Sequence, residues 1–309
     1  MSDMHPHERM SRISTFIKGL RLPMYWASGG PVLLTASLAL FRSAMLRPFL
    51  FLLGSAALLI FEVGVNIMAE IADSAEMVMI TQEETWIPTG PFLVKYGGRT
   101  AERLAAYGAF TLAVAGLTGL YLAAVTGITV ILLIGLSGLL LTYLYAFPPF
   151  ELGLRGLGEP VAFFSFGPLP MFALYFLASG KLSILPVIIS IPTALWVTAI
   201  RYAHHLPDTG MRRGQRYLRS HSLRVRYAGK VLTSLMAAAV FFTALLYFYV
   251  GIYVLLPAIA AGALSIFISG RIRRLPGDAT SISRQTKYFL LLQFVSTVFL
   301  SVSLLIAHG

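Results

Sequence analysis

Apolar residues fall in blocks of roughly 18–25, the length that crosses about 30 Å of hydrocarbon as a helix. The blocks run near 24–42, 48–71, 105–126, 128–148, 159–178, 182–203, 230–250, 252–270 and 288–307. This pattern predicts an all-α integral membrane protein with nine transmembrane helices in a single bundle, one domain over 1–309. Polar residues gather at 72–104, 204–229 and 271–287, with a shorter segment at 149–158, whereas the alternate connections hold only a few residues. All the long loops are then on one face, which is where chemistry is expected. Polar clusters follow both the second and the sixth helix, so the spacing suggests two four-helix units plus one helix, although no strong repeat is visible.

Composition agrees with this pattern. The 309 residues are 57% hydrophobic and 12% charged, whereas a soluble domain carries about 25% charged residues. The absence of cysteine excludes disulfides, thiolate metal sites and Cys nucleophiles. No cleavable signal is expected: residues 1–21 carry Arg9, Arg12, Lys18 and Arg21, and the apolar stretch that follows is long enough to span. Small residues such as Ala115, Gly116, Gly119, Gly135 and Gly138 suit close helix packing in lipid.

The net charge of +11 changes the picture only through its distribution. With a cytoplasmic N-terminus, 20 of the 24 Lys/Arg fall on inside segments, leaving Arg42, Arg47 and Lys181 outside and Arg201 within the sixth helix. This is the positive-inside asymmetry. It predicts a multi-pass protein of the cell membrane with its site facing the cytoplasm. The basic charge favours anionic lipid or a phosphorylated ligand, and no nucleic acid is needed to explain it.

Three polar clusters could carry chemistry. In the first, six of the thirteen acidic residues lie between Glu62 and Glu84. Asn66, Glu70 and Asp73 are spaced i, i+4, i+7 and share one helix face. Together they form a hard-oxygen set suited to Mg²⁺, which a diphosphate would complete. A helix end leaving the membrane with ordinary solvated acids gives the same spacing, and Glu76, Glu83 and Glu84 read that way.

The second cluster is RYAHHLPDTGMRRGQR, in which Pro207 ends the sixth helix near Leu206 and leaves Asp208 at the bundle mouth. His204 and His205 are adjacent, about 100° apart around a helix, a poor arrangement for sharing one ion. Arg212, Arg213 and Arg216 suit diphosphate oxygens, although charge orientation explains such a run as well. In the third cluster Arg155 stands among glycines, flanked by Glu151 and Glu159, where the backbone can approach a ligand closely. No Ser/His/Asp order, P-loop or dinucleotide fingerprint is present.

These residues resemble the UbiA superfamily of intramembrane prenyltransferases, most closely the branch that prenylates 1,4-dihydroxy-2-naphthoate. RLP at 21–23 looks like the opening of that family's first helix. NIMAEIAD at 66–73 is similar to its N-x-x-N-D-x-x-D motif, and PTGPFLVKYGG at 88–98, with Lys95, is similar to the loop after it. PPFELGLRGLGEPVAFFSFGPL at 148–169 is similar to its RGLGE junction. AIRYAHHLPD at 199–208 stands where the family writes N-N-x-x-D, and GQR at 214–216 is similar to G-K-R.

The resemblance implies Mg²⁺ held by Asn66, Glu70, Asp73 and Asp208, with Asp73 and Asp208 catalytic. It also implies a prenyl diphosphate on Lys95, Arg155, Arg212 and Arg216, and transfer of the prenyl group to an aromatic or quinone-precursor acceptor. The chain departs from the pattern at Ala69, Glu70, His204 and His205, and Arg212 replaces the second Asp of the second motif. One ion plus Arg212 or Arg216 could then serve where relatives use two. A membrane terpene cyclase, in which the cation closes on its own chain without an acceptor, is the alternative. A non-catalytic binder of isoprenoid lipid is a third reading.

Overall fold

The computed structural model describes residues 25–42, 44–75, 100–127, 129–146, 149–150, 152, 157–206, 215–275 and 279–307. These residues form helices and short connections, with no strand among them. The helices are α1 (Trp26–Phe41), α2 (Pro48–Ala75), α3 (Ala101–Thr126), α4 (Thr129–Ala146), α5 (Gly158–Ser165), α6 (Pro168–Ser179) and α7 (Leu185–His204). They continue with α8 (Gln215–Leu245), α9 (Tyr247–Val250), a 3₁₀ turn (Gly251–Val254), α10 (Leu255–Arg273), α11 (Ala279–Ser283) and α12 (Thr286–Ala307).

Among the described residues, six helical stretches are long and apolar enough to cross a membrane: Pro48–Met68, Ala101–Thr126, Gly158–Ser179, Leu185–His204, Arg224–Arg273 and Ser281–Ala307. The protein is an integral membrane protein. Trp26–Phe41 and Thr129–Tyr145 are shorter apolar helices, and Arg224–Arg273 is interrupted at Leu246 and by the 3₁₀ turn.

The structure differs from the apolar blocks in two places. The predicted fifth helix is broken into α5 and α6 at Phe166–Gly167. Pro168 begins α6 because it lacks an N–H and has the right φ for a first helical position. A Cβ at Gly167 would run into Ala194 of α7, so glycine lets the two backbones approach at the break. The second difference is at α8, which starts at Gln215 rather than 230. Its first turns are polar, so the apolar block marked only the part suited to lipid.

The packing centres on α7, which touches α1, α5, α6, α8 and α12. One apolar cluster joins α1, α2 and α6 to α12 through Leu34, Leu38, Phe51, Leu174, Phe176 and Leu300. A second joins α7, α8, α10 and α12 through Trp196, Ile200, Leu232, Met236, Ile268 and Phe289. Serine and threonine hydroxyls within the spans bond back to carbonyls of their own helices, as Ser55 does to Phe51 O at 2.8 Å and Thr198 to Ala194 O at 2.8 Å. Such bonds keep polar groups satisfied where no water is at hand.

Candidate functional site

α2 presents two unlike faces. Gly64 lies against Leu112 and Thr111 of α3, and Ile67 and Met68 lie against Gly108. Ile67 also packs with Leu104, and Val63 and Ile71 lie against that pair. Glu62 and Asn66 sit a turn apart on the opposite side. Positions 70 and 73 continue that face by helical register, although the side chains of Glu70 and Asp73 are outside the described set. Glu62 is 6% exposed, and Ser28 of α1 hydrogen-bonds its carboxylate.

Contacts between helix ends show that the C-terminal ends of α2 and α7 lie on one side of the bundle. The Ser28–Glu62 contact joins the N-terminal turn of α1 to the middle of α2, so the C-terminal half of α2 runs on past the start of α1. Gln293 Nε2 of α12 donates to Trp26 O of α1 at 3.3 Å. Ser283 Oγ, just before α12, donates to His204 O at the end of α7 at 3.2 Å.

The α7 side of this mouth is organised by a carboxylate. Glu159 Oε1, in the first turn of α5, accepts from Arg201 Nη1 at 2.9 Å and from Arg224 Nη2 at 2.5 Å. Arg201 Nη2 also donates to Tyr145 Oη at 2.8 Å, and its guanidinium lies 4.8 Å from the centre of the Tyr145 ring. The Arg224 guanidinium lies 4.9 Å from the centre of the Tyr202 ring, and Tyr202 Oη donates to Arg224 O at 2.8 Å. One anion thus holds two cations in largely desolvated surroundings. A Cβ on Gly158 would run into the Arg201 guanidinium, so this glycine makes room for the cation beside Glu159.

Of the residues the sequence singles out, the structure describes Asn66 with its side chain, together with the backbones of Glu70, Asp73 and Arg216. Lys95, Arg155, Asp208 and Arg212 lie outside the described residues. His204 and His205 face each other edge to face, with ring centres 5.0 Å apart, and His204 is buried. Among the described residues no group of three or more His, Cys, Asp or Glu could hold a metal ion. Asn66 nonetheless offers a hard amide oxygen on the face of α2 turned from α3, with two carboxylate positions following in register, a donor set that fits Mg²⁺.

The Glu159–Arg201–Arg224 cluster was not anticipated as a unit. Its signal was Arg201, a charge inside an apolar span, which is costly unless it is paired or functional. Its partners come from helices far apart in sequence, so spacing could not reveal them.

A model of the UbiA prenyltransferase family matches residues 97–302. The chain belongs to this family. The match includes Glu159, Arg201 and Arg224 but begins after the acidic face of α2. A comparison with curated proteins finds no match. UbiA prenyltransferases are generally Mg²⁺-dependent, and membership implies in general a prenyl diphosphate substrate and an aromatic acceptor.

Proposed function

We propose that this UbiA-family protein transfers a prenyl group from a polyprenyl diphosphate to an aromatic or quinone-precursor acceptor within the membrane, in a Mg²⁺-dependent reaction. The observation that carries the reading is the polar face of α2: Asn66, with Glu70 and Asp73 in register, turned away from α3 in a chain of this family. Asn66, Glu70, Asp73 and Asp208 would hold Mg²⁺. Lys95, Arg155, Arg212 and Arg216 would bind diphosphate oxygens, and guanidinium groups suit that role because they present a fork of donors.

The reaction breaks the bond between prenyl C1 and the diphosphate oxygen, and the electron pair leaves with the diphosphate. A ring carbon of the acceptor supplies the pair that forms the new carbon–carbon bond, and the ring then loses its proton. A bound Mg²⁺ would neutralise charge on the departing diphosphate. The chain's own cations draw the diphosphate to the mouth, and its apolar interior keeps water from the allylic cation. The likeness of 66–73, 148–169 and 199–208 to the family's motifs favours the branch acting on 1,4-dihydroxy-2-naphthoate.

The orientation proposed places the mouth in the cytoplasm and the protein in the cell membrane, supported by the 20 of 24 Lys/Arg on that side. Nine passes in one bundle are supported by the two shorter apolar helices and by the interruption of Arg224–Arg273.

A second reading, a terpene cyclase, draws on Arg212 standing in place of the second Asp of the second motif. One assay separates the two: purified protein with Mg²⁺ and geranyl, farnesyl or geranylgeranyl diphosphate, with and without 1,4-dihydroxy-2-naphthoate or 4-hydroxybenzoate. Prenylated acceptor is the expected product. A terpene formed equally without acceptor would establish the cyclase, and absence of any turnover would remove both.

A further inference from the structure

Glu62 is a buried carboxyl that the proposed metal site leaves unused. It lies eight residues before position 70 in α2, so about 12 Å deeper along the helix at 1.5 Å per residue. Ser28 engages the carboxylate, yet among the described residues Oε2 is buried without a hydrogen-bond partner. One turn nearer the mouth, Asn66 Nδ2 is also buried with no partner among the described residues. The two residues share the face turned from α3, so an unused acceptor and an unused donor stand side by side. Buried polar groups normally find partners, and a ligand is the natural source of one here.

The complementary ligand group has to accept from Asn66 and donate to Glu62. A hydroxyl does both with one oxygen. A diphosphate oxygen would satisfy Asn66 but would meet the Glu62 carboxylate without a proton to share, and a hydrocarbon chain would satisfy neither. The position is also deeper than the acidic positions 70 and 73, on the hydrocarbon side of the proposed diphosphate site. That is where the reacting end of a prenyl chain and its acceptor would meet.

We propose that Glu62 and Asn66 form a subsite for a hydroxyl of the aromatic acceptor, with Asn66 Nδ2 donating to the hydroxyl oxygen and Glu62 Oε2 accepting its hydrogen; this rests on the transferase reading above. Asn66 would use the other end of its amide, Oδ1, toward the metal. Glu62 is here a specificity-determining residue, setting which acceptors are held in register with prenyl C1.

The test uses the full chain in lipid nanodiscs with Mg²⁺ and geranylgeranyl diphosphate. The acceptors are 1,4-dihydroxy-2-naphthoate and 4-hydroxybenzoate, each compared with its O-methyl ethers. The wild type should prefer the free hydroxyl over the ether by at least about a hundredfold in kcat/KM, because an ether cannot donate to Glu62. Glu62→Met should lose most of that preference while still binding geranylgeranyl diphosphate. Glu62→Gln, whose amide oxygen still accepts, should retain much of it. If Glu62→Met fails to fold, Glu62→Asp should lower the preference about tenfold, because its carboxylate is one methylene short. A folded Glu62→Met, or failing it Glu62→Asp, that discriminates like the wild type overturns the subsite and leaves the transferase standing. A wild type that forms no acceptor product overturns the transferase reading and this inference with it.

Discussion

Gly158 and Arg201 stand so close that a single methyl group on the glycine would occupy the space of the guanidinium. Gly158 opens α5, Arg201 lies in the last turn of α7, and the contact seats Arg201 Nη1 2.9 Å from Glu159 Oε1. Gly158→Ala should therefore push Arg201 from Glu159 and from Tyr145. The expected cost is about 1–3 kcal/mol, the usual range for overpacking a tight interior site. A thermal unfolding series in detergent, compared with Gly116→Ala where a Cβ meets nothing within 4 Å, would show it.

Removing the shared anion should cost more than removing one of its cations. Glu159→Gln removes the carboxylate that Arg201 and Arg224 share, and their side chains are only 9% and 13% exposed. A loss of about 3 kcal/mol is expected, as for other buried pairs deprived of one partner. Arg224→Gln leaves Glu159 paired with Arg201 and should be milder. Denaturation of both variants in mixed micelles checks the order, and equal losses would show that the shared oxygen is not what holds the cluster.

Tyr145 supports Arg201 in two ways, through its hydroxyl at 2.8 Å and through its ring face. Tyr145→Phe keeps the ring and should cost about 1 kcal/mol, the net worth of one hydrogen bond. Tyr145→Ala removes both and should cost more. Equal stability of the two variants would leave the ring face without a role.

The proposed metal ligands make a separate prediction. Asp73→Ala and Asp208→Ala should each abolish prenyl transfer without lowering the thermal midpoint. Chelation with EDTA should stop the wild-type reaction, and added Mg²⁺ should restore it. Near-normal turnover in either variant, measured as diphosphate release, would remove that residue from the site.

Sequence spacing by itself was enough to read the membrane character and the helical class. Runs of apolar residues long enough to cross the hydrocarbon leave no other economical way to satisfy the backbone. Spacing also placed Asn66, Glu70 and Asp73 on one face, because that relation lies within a single helix. Apolarity alone misjudged two boundaries: α8 begins in polar residues, and the fifth block breaks where Gly167 meets Ala194.

Only the tertiary structure decided which charges meet. The sequence placed Arg201 only within an apolar helix, whereas in the fold it is held by Glu159 and Tyr145 from two earlier helices. Glu62 read as the first acid of a cluster, yet it is buried within the bundle and engaged by Ser28 from α1. Periodicity along one helix says which face a residue occupies. It cannot say what packs against that face, because the partner is chosen by the close packing of helices distant in sequence.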